Sequence, residues 1–240
     1  QNEDLSIVYK TDRKCIFKFV FIFFLTATIK FVTLGLSLYD GVFTVNLFQI
    51  LHSVYTVVIT RVFLINYSFF VILLKRRYSV LNQKLNQLHQ RSIISGNNNF
   101  EMIRTAHHKL WLMTNSLNDT FSVQIFACIV NFSLWILIPA YAVIRTEYSY
   151  ANYSLILTLL VGVVQICTVV YVCSSTRNES QKLCKTLFEC RKTETMDVIL
   201  FSSQLLHEKV VFTAMDLFTV DETLLCSVMK YIFLLFSNIY

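Results

Sequence analysis

Apolar residues along this chain gather into five long runs. They cover Ile16–Leu38, Phe43–Leu74, Phe121–Ile144, Tyr153–Ser174 and Thr223–Ile239. A membrane-crossing helix takes about 17–25 predominantly apolar residues, and each run reaches that length. The second run is too long for one crossing. At about 1.5 Å per residue it would extend roughly 48 Å, against a hydrocarbon core of about 30 Å, so part of it must project beyond the bilayer. The pattern past Leu74 agrees: Tyr78, Leu81, Leu85 and Leu88 follow at alternating steps of four and three, the spacing of one helix face with polar neighbours. "SGNNN", Ser95 to Asn99, is a turn signal. Beyond it Ile103, Ala106, Leu110, Met113, Leu117 and Phe121 repeat the helical spacing into the third run. Leu183 and Leu187 open a similar stretch, and a second begins at Met196, Ile199 and Leu200 and continues through Leu205, Leu206 and Val210. The prediction is an all-α polytopic membrane bundle whose helices extend beyond the bilayer. It comprises two spans with a short turn over 16–74, a helical hairpin over 75–120, two further spans over 121–174, helices over 175–222 and a last span over 223–240.

Charge orients this arrangement. Sixteen of the 21 Lys and Arg lie in 1–15, 75–120 and 175–222, whereas the alternate segments 39–42 and 145–152 hold only Arg145. By the positive-inside rule the three basic segments are cytoplasmic and, with five spans, the C-terminus is extracellular. Gly (4) and Pro (1) are scarce, which argues for long helices briefly joined. The seven Cys include no C-x-x-C pair and read as small buried hydrophobes rather than as a disulfide framework or zinc site. Of the five N-x-[ST] sites, at Asn66, Asn118, Asn131, Asn152 and Asn178, only Asn152 falls on the outer side.

Catalytic patterns are lacking. "HEKVV" at His207 begins like a zinc-protease helix, but Val211 stands where the second His belongs. His107 and His108 are adjacent in sequence and so point to different faces of a helix. Gly35, Gly41, Gly96 and Gly162 are isolated, so no phosphate-cradling loop exists. The chain therefore reads as a non-enzyme without metal or cofactor. Inside the runs stand Lys18, Lys30, His52, Arg61 and Lys230. Lys18 can snorkel to the interface. Lys30, His52 and Arg61 are the candidates for lining a ligand pocket, since charged groups at depth face protein or a wet cavity.

The C-terminal stretch "VVFTAMDLFTVDETLLCSVMKYIFLLFSNIY", Val210 to Tyr240, resembles that of insect gustatory receptors. Their phrase F-T-A-x-x-[FL]-F-x-[VIL]-[DN]-x-x-L-L-x-S is matched by Phe212, Thr213, Ala214, Leu217, Phe218, Val220, Asp221, Leu224, Leu225 and Ser227. The motif T-Y-h-h-h-h-h-Q-F follows, h being hydrophobic. Tyr231 and the five residues Ile232 to Phe236 match it, while Lys230, Ser237 and Asn238 replace its Thr, Gln and Phe. "RRYSVLN" (Arg76 to Asn82) and "HHKLWLMTNSLNDTFSVQI" (His107 to Ile125) are also family-like. The resemblance covers about residues 42–240. It implies a seven-span receptor of which this chain holds the last five spans, assembled as a homo- or hetero-tetramer in the plasma membrane. Such a receptor is a ligand-gated cation channel in chemosensory neurons, opened by a small-molecule tastant, here of the bitter type. The implied pore and gate positions are Lys230, Tyr231, Phe236, Ser237 and Asn238, with Phe236 as the apolar gate. A G-protein-coupled type of receptor and a truncated, non-conducting receptor copy are the alternatives.

Overall fold

A computed structural model describes residues 47–90, 97–145, 150–190 and 196–237, together with Phe21, Phe24, Leu25 and Thr28. Three long unbroken helices dominate: α1 (Leu47–Gln90), α2 (Asn97–Arg145) and α3 (Tyr150–Cys190). A shorter helix, α4 (Met196–His207), leads into a two-stranded antiparallel hairpin, β1 (Thr213–Ala214) and β2 (Phe218–Thr219). The last helix, α5 (Glu222–Ser237), follows directly. Among the described residues, two stretches, Val58–Leu88 and Leu160–Phe188, are long and apolar enough to cross a membrane by length and composition.

The chain divides into two compact units. The described residues of the first are Phe21, Phe24, Leu25 and Thr28 with 47–69, 124–145, 150–169 and 223–237. Its interior holds Leu64, Tyr67, Ile125, Phe132 and Ile166, but its surface is not that of a water-soluble core. Arg61, Ser68 and Gln165 are buried, while Val58, Val62, Phe63, Phe69, Leu160 and Val164 are exposed. Large exposed apolar surface is rare in soluble monomers. Polar groups turned inward and apolar groups turned outward are what a hydrocarbon solvent demands.

The second unit comprises 70–90, 97–123, 170–190 and 196–222. Here Leu74, Tyr78, Leu81 and Leu85 of α1 are all buried, as their spacing predicts. From α2, Ile103, Leu110 and Leu117 join them. Ala106 is half-buried and Met113 exposed, so the helical stripe of α2 is only partly covered. Leu183 and Leu187 of α3 are buried. α1 and α2 run antiparallel: Phe70 lies 6.0 Å from Phe121 and Tyr78 5.9 Å from His107, centroid to centroid. Buried polar groups tie the long helices together. Asn82 Nδ2 donates to the Glu179 carbonyl (2.8 Å), and Thr176 Oγ1 to the carbonyls of Val172 (2.9 Å) and Val71 (3.3 Å).

Two features differ from the sequence reading. The helical run opening at Met196 ends at His207 instead of continuing to Val210, because the chain turns there into the hairpin. The buried face of α4 is Val198, Phe201 and Leu205, whereas Met196, Ile199, Leu200 and Leu206 are exposed. Both faces of α4 are apolar, so spacing alone could not choose between them. The cysteines also divide: Cys128 and Cys173 are buried, Cys167 and Cys184 partly so, and Cys226 is exposed, and none of these five is in a disulfide.

Candidate functional site

The phrase at Phe212–Ser227 builds the joint from which the last helix starts. Phe212, Ala214 and Val220 are buried in the second unit. Ala214 has 0% exposure, so a larger side chain there would have to displace its neighbours, typically costing about 1–3 kcal/mol. The hairpin closes through hydrogen bonds from Leu217 N to Ala214 O (3.1 Å) and from Val220 N to Phe212 O (2.8 Å). Its turn places Met215 (φ 52°) and Asp216 (φ 55°) in the left-handed region. Asp tolerates that conformation, and its Oδ1 accepts a hydrogen bond from Thr213 Oγ1 (2.9 Å). Met215 pays the steric cost with no such bond, about 1–2 kcal/mol.

Next come two consecutive acids. Asp221 immediately precedes α5 and Glu222 begins it, where negative charge is favoured by the unsatisfied N–H groups of a helix N-terminus. Asp221 Oδ2 accepts from Arg177 Nη1 (3.1 Å) and from Thr219 Oγ1 (2.9 Å). Glu222 Oε1 accepts from Ser174 Oγ (2.8 Å). Ser174 and Arg177 lie three apart on α3, hence on one face, and present one polar group to each acid. The Arg177 side chain is 39% exposed, so the pair contributes little to stability, typically below about 1 kcal/mol. Its effect is positional: the first residues of α5 are registered against α3. Upstream, Asn118 Nδ2 donates to the Val211 carbonyl (2.7 Å) and fixes the entry to the hairpin.

A second polar cluster lies deeper in the same unit. His107 Nδ1 and His108 Nδ1 reach opposite oxygens of the Glu208 carboxylate, at 3.2 Å and 2.6 Å. Gln204 Nε2 donates to Glu208 Oε2 (2.7 Å) and lies 3.3 Å from the Arg104 carbonyl. Because a carboxylate only accepts, both imidazoles carry their proton on Nδ1. His107 is fully buried against the rings of Tyr78 and Phe201, and its Nε2 has no partner among the described residues. Burial therefore holds its pKa below the ordinary value, against the opposing pull of Glu208. For Glu208 burial acts upward, but hydrogen bonds from Gln204, His108 and His107 outweigh it and leave the carboxyl below its usual range. The "HE" of the zinc-like motif and the adjacent histidines thus meet in a hydrogen-bonded cluster. Among the described residues no group of three or more His, Cys, Asp or Glu could hold a metal ion.

The residues singled out in the sequence fall elsewhere. Lys230 and Ser237 are exposed on α5, and Ser237 Oγ donates to the Leu234 carbonyl (3.1 Å). Tyr231 and Phe236 are on the α5 backbone, with side chains outside the described set. Asn238 and Lys30 lie outside the described residues, and His52 is described only as backbone of α1. Arg61 is buried on α1. The exposed stripe of α5 joins Cys226, Met229, Lys230, Phe233, Leu234 and Ser237, with Phe233 74% exposed. Spacings of three and four put these on one face. Phe233 and Leu234 fill motif places that demand only an apolar residue, so the sequence does not single them out.

A family model described as 7tm Chemosensory receptor matches residues 5–236. The chain belongs to that family. It is a helical membrane protein of the chemosensory receptor family, and the large apolar residues exposed on its first unit fit that class. No curated protein sequence matches this receptor. Within it, the joint around Asp221 and the buried cluster around Glu208 were missed as sites by reasoning from sequence. Asp221 did stand in the motif. Arg177, its partner 44 positions earlier, carries no signal that links the two.

Proposed function

We propose that this receptor is a subunit of a tastant-gated cation channel, assembled as a tetramer in the plasma membrane of chemosensory neurons and tuned to bitter compounds. The observation that carries this reading is the joint at Phe212–Glu222. A channel opened by a ligand elsewhere needs the pore helix tied to something that can move or hold it, and Arg177 and Ser174 grip Asp221, just before the last helix, and Glu222, which begins it. The exposed apolar residues of α5, Met229, Phe233 and Leu234, support the same reading as a face for neighbouring helices, with Lys230 turned away from the pore, because a ring of four lysines would repel cations. Phe236 serves as the apolar gate, flanked by Tyr231, Ser237 and Asn238, and Arg61, Lys30 and His52 belong to the tastant pocket. The alternation of basic segments places 1–15, 75–120 and 175–222 in the cytoplasm and the C-terminus outside. That is the opposite orientation to a G-protein-coupled receptor.

Patch recordings test this. Cells displaying the receptor and exposed to a panel of bitter compounds should pass a cation current within milliseconds. Asp221→Arg should abolish it, and the double exchange Asp221→Arg with Arg177→Asp should restore at least part of it. Surface-displayed receptor with no current from any compound, in cells that also carry candidate co-subunits, would overturn the channel reading. A response blocked by G-protein inhibitors would replace it with the alternative.

A further inference from the structure

The face between α1 and α2 in the second unit carries a groove of about 650 Å³. That is within the roughly 300–1,000 Å³ of ordinary small-molecule sites. Its floor is apolar, formed by the buried Leu74, Leu81, Leu110 and Leu117. Its polar lining is cationic: Arg77, Lys84 and Lys109 line it and no carboxylate does. All three cations are exposed, and among the described residues none has a salt-bridge partner. Three like charges held close together without a counter-charge repel one another, and an anion bound between them removes that penalty.

The cations are confined to one end of the groove, whereas apolar residues line its whole length. α1 and α2 are antiparallel, with Phe70 beside Phe121 and Tyr78 beside His107. Phe70, Leu73, Met113 and Leu117 therefore share one end. Arg77 and Lys109 stand about two turns further on, and Lys84 two turns beyond Arg77, so the lining of α1 from Phe70 to Lys84 spans about 21 Å. The apolar end is the end at which α1 continues back into its longest apolar run, and the cations lie away from it. Exposed Phe70 and Met113 at that end have no protein covering them fully. A soluble anion would use the cations and leave the apolar end wet. A neutral lipid would use the apolar end and leave the cations unpaired.

We propose that this groove binds an anionic phospholipid with a phosphorylated head. Its acyl chain lies over Phe70, Leu73 and Leu117, and its head rests among Arg77, Lys109 and Lys84. This rests on the reading that 75–120 is cytoplasmic, because the cytoplasmic leaflet is the anionic one and draws juxtamembrane basic residues to it. The lipid acts as a clip between α1 and α2 on the side that protein side chains leave open.

Native mass spectrometry of the receptor in neutral detergent is the test, with dioleoyl phosphatidylinositol 4-phosphate as probe and dioleoyl phosphatidylcholine as comparison. The phosphorylated lipid should be retained and phosphatidylcholine should not. The triple variant Arg77→Gln, Lys84→Gln, Lys109→Gln changes only exposed side chains and should weaken retention on the order of a hundredfold, from about fivefold per charge. Met113→Gln, which sets an uncharged polar group at the apolar end, should weaken the lipid but not free inositol 1,4-bisphosphate. Equal retention by wild type and triple variant, equal retention of phosphatidylcholine, or free head group binding as tightly as the lipid would each overturn the proposal. The measurement needs neither current nor a defined orientation. A silent receptor that still binds the lipid therefore sinks only the channel reading, and a conducting receptor that does not bind it sinks only this one.

Discussion

At the scale of single residues, the second unit holds its most consequential chemistry in His107. Protonating its Nε2 would create a buried N–H with no acceptor among the described residues, and burial accordingly lowers its pKa. The native state then binds fewer protons than the unfolded chain below the ordinary imidazole value of about 6.5. Stability should be full above that pH and fall as the solution is acidified, by at most about 1.4 kcal/mol per pH unit for one proton. Glu208, also lowered, adds its loss only further down, below the ordinary carboxylate value of about 4.3. His107→Gln should therefore flatten the melting temperature between pH 7 and 5.5, as read by thermal unfolding in detergent. An unchanged slope would show that His107 is not the group responsible. Little of this was legible beforehand. The adjacent histidines and the "HE" at 207–208 were visible, but about a hundred positions separate them, and only the packing of α4 against α2 brings Nδ1 of both imidazoles onto one carboxylate.

At the scale of elements, the long helices were readable and the joint between helices was not. Leu74, Tyr78, Leu81 and Leu85 mark the buried face of α1 because polar neighbours make the contrast plain. On α4 apolar residues surround the helix, so Val198, Phe201 and Leu205 could not be told from Ile199, Leu200 and Leu206. The hairpin escaped notice for a related reason. Its turn carries Met215 and Asp216, not the Asn-Gly or Asp-Gly that announces left-handed backbone. Met215 is partly exposed, so its side chain contributes little to packing, while its φ of 52° carries a steric cost. Met215→Gly should relieve that cost and stabilise the second unit by about 1 kcal/mol, read as a later midpoint in denaturant. A loss of stability would mean that the Met215 side chain holds the turn through contacts worth more than the strain.

At the scale of the whole molecule, two solvents are written into one chain. The first unit turns apolar groups outward and keeps Arg61 and Gln165 inside; the second keeps leucines inside and sets Arg77, Lys84 and Lys109 on its surface. Composition and run length gave the membrane class directly, because hydrocarbon acts on averages over about twenty residues. The candidate site depends on individual pairings and left only the motif as its trace. Orientation is testable at this scale. A single cysteine introduced at Lys185 should react with an impermeant maleimide only after the cell is opened, and one at Ser149 should react on intact cells. The reverse pattern would invert the arrangement argued from the basic residues.

Asn118 carries one further consequence. As the first residue of an N-x-[ST] sequence it would be a target for the glycan-transferring enzyme, yet its Nδ2 is committed to the Val211 carbonyl. That nitrogen is the atom a sugar would occupy. A sugar there would leave the nitrogen one N–H beside a bulky substituent, which would crowd its approach to the Val211 carbonyl at the entry to the hairpin.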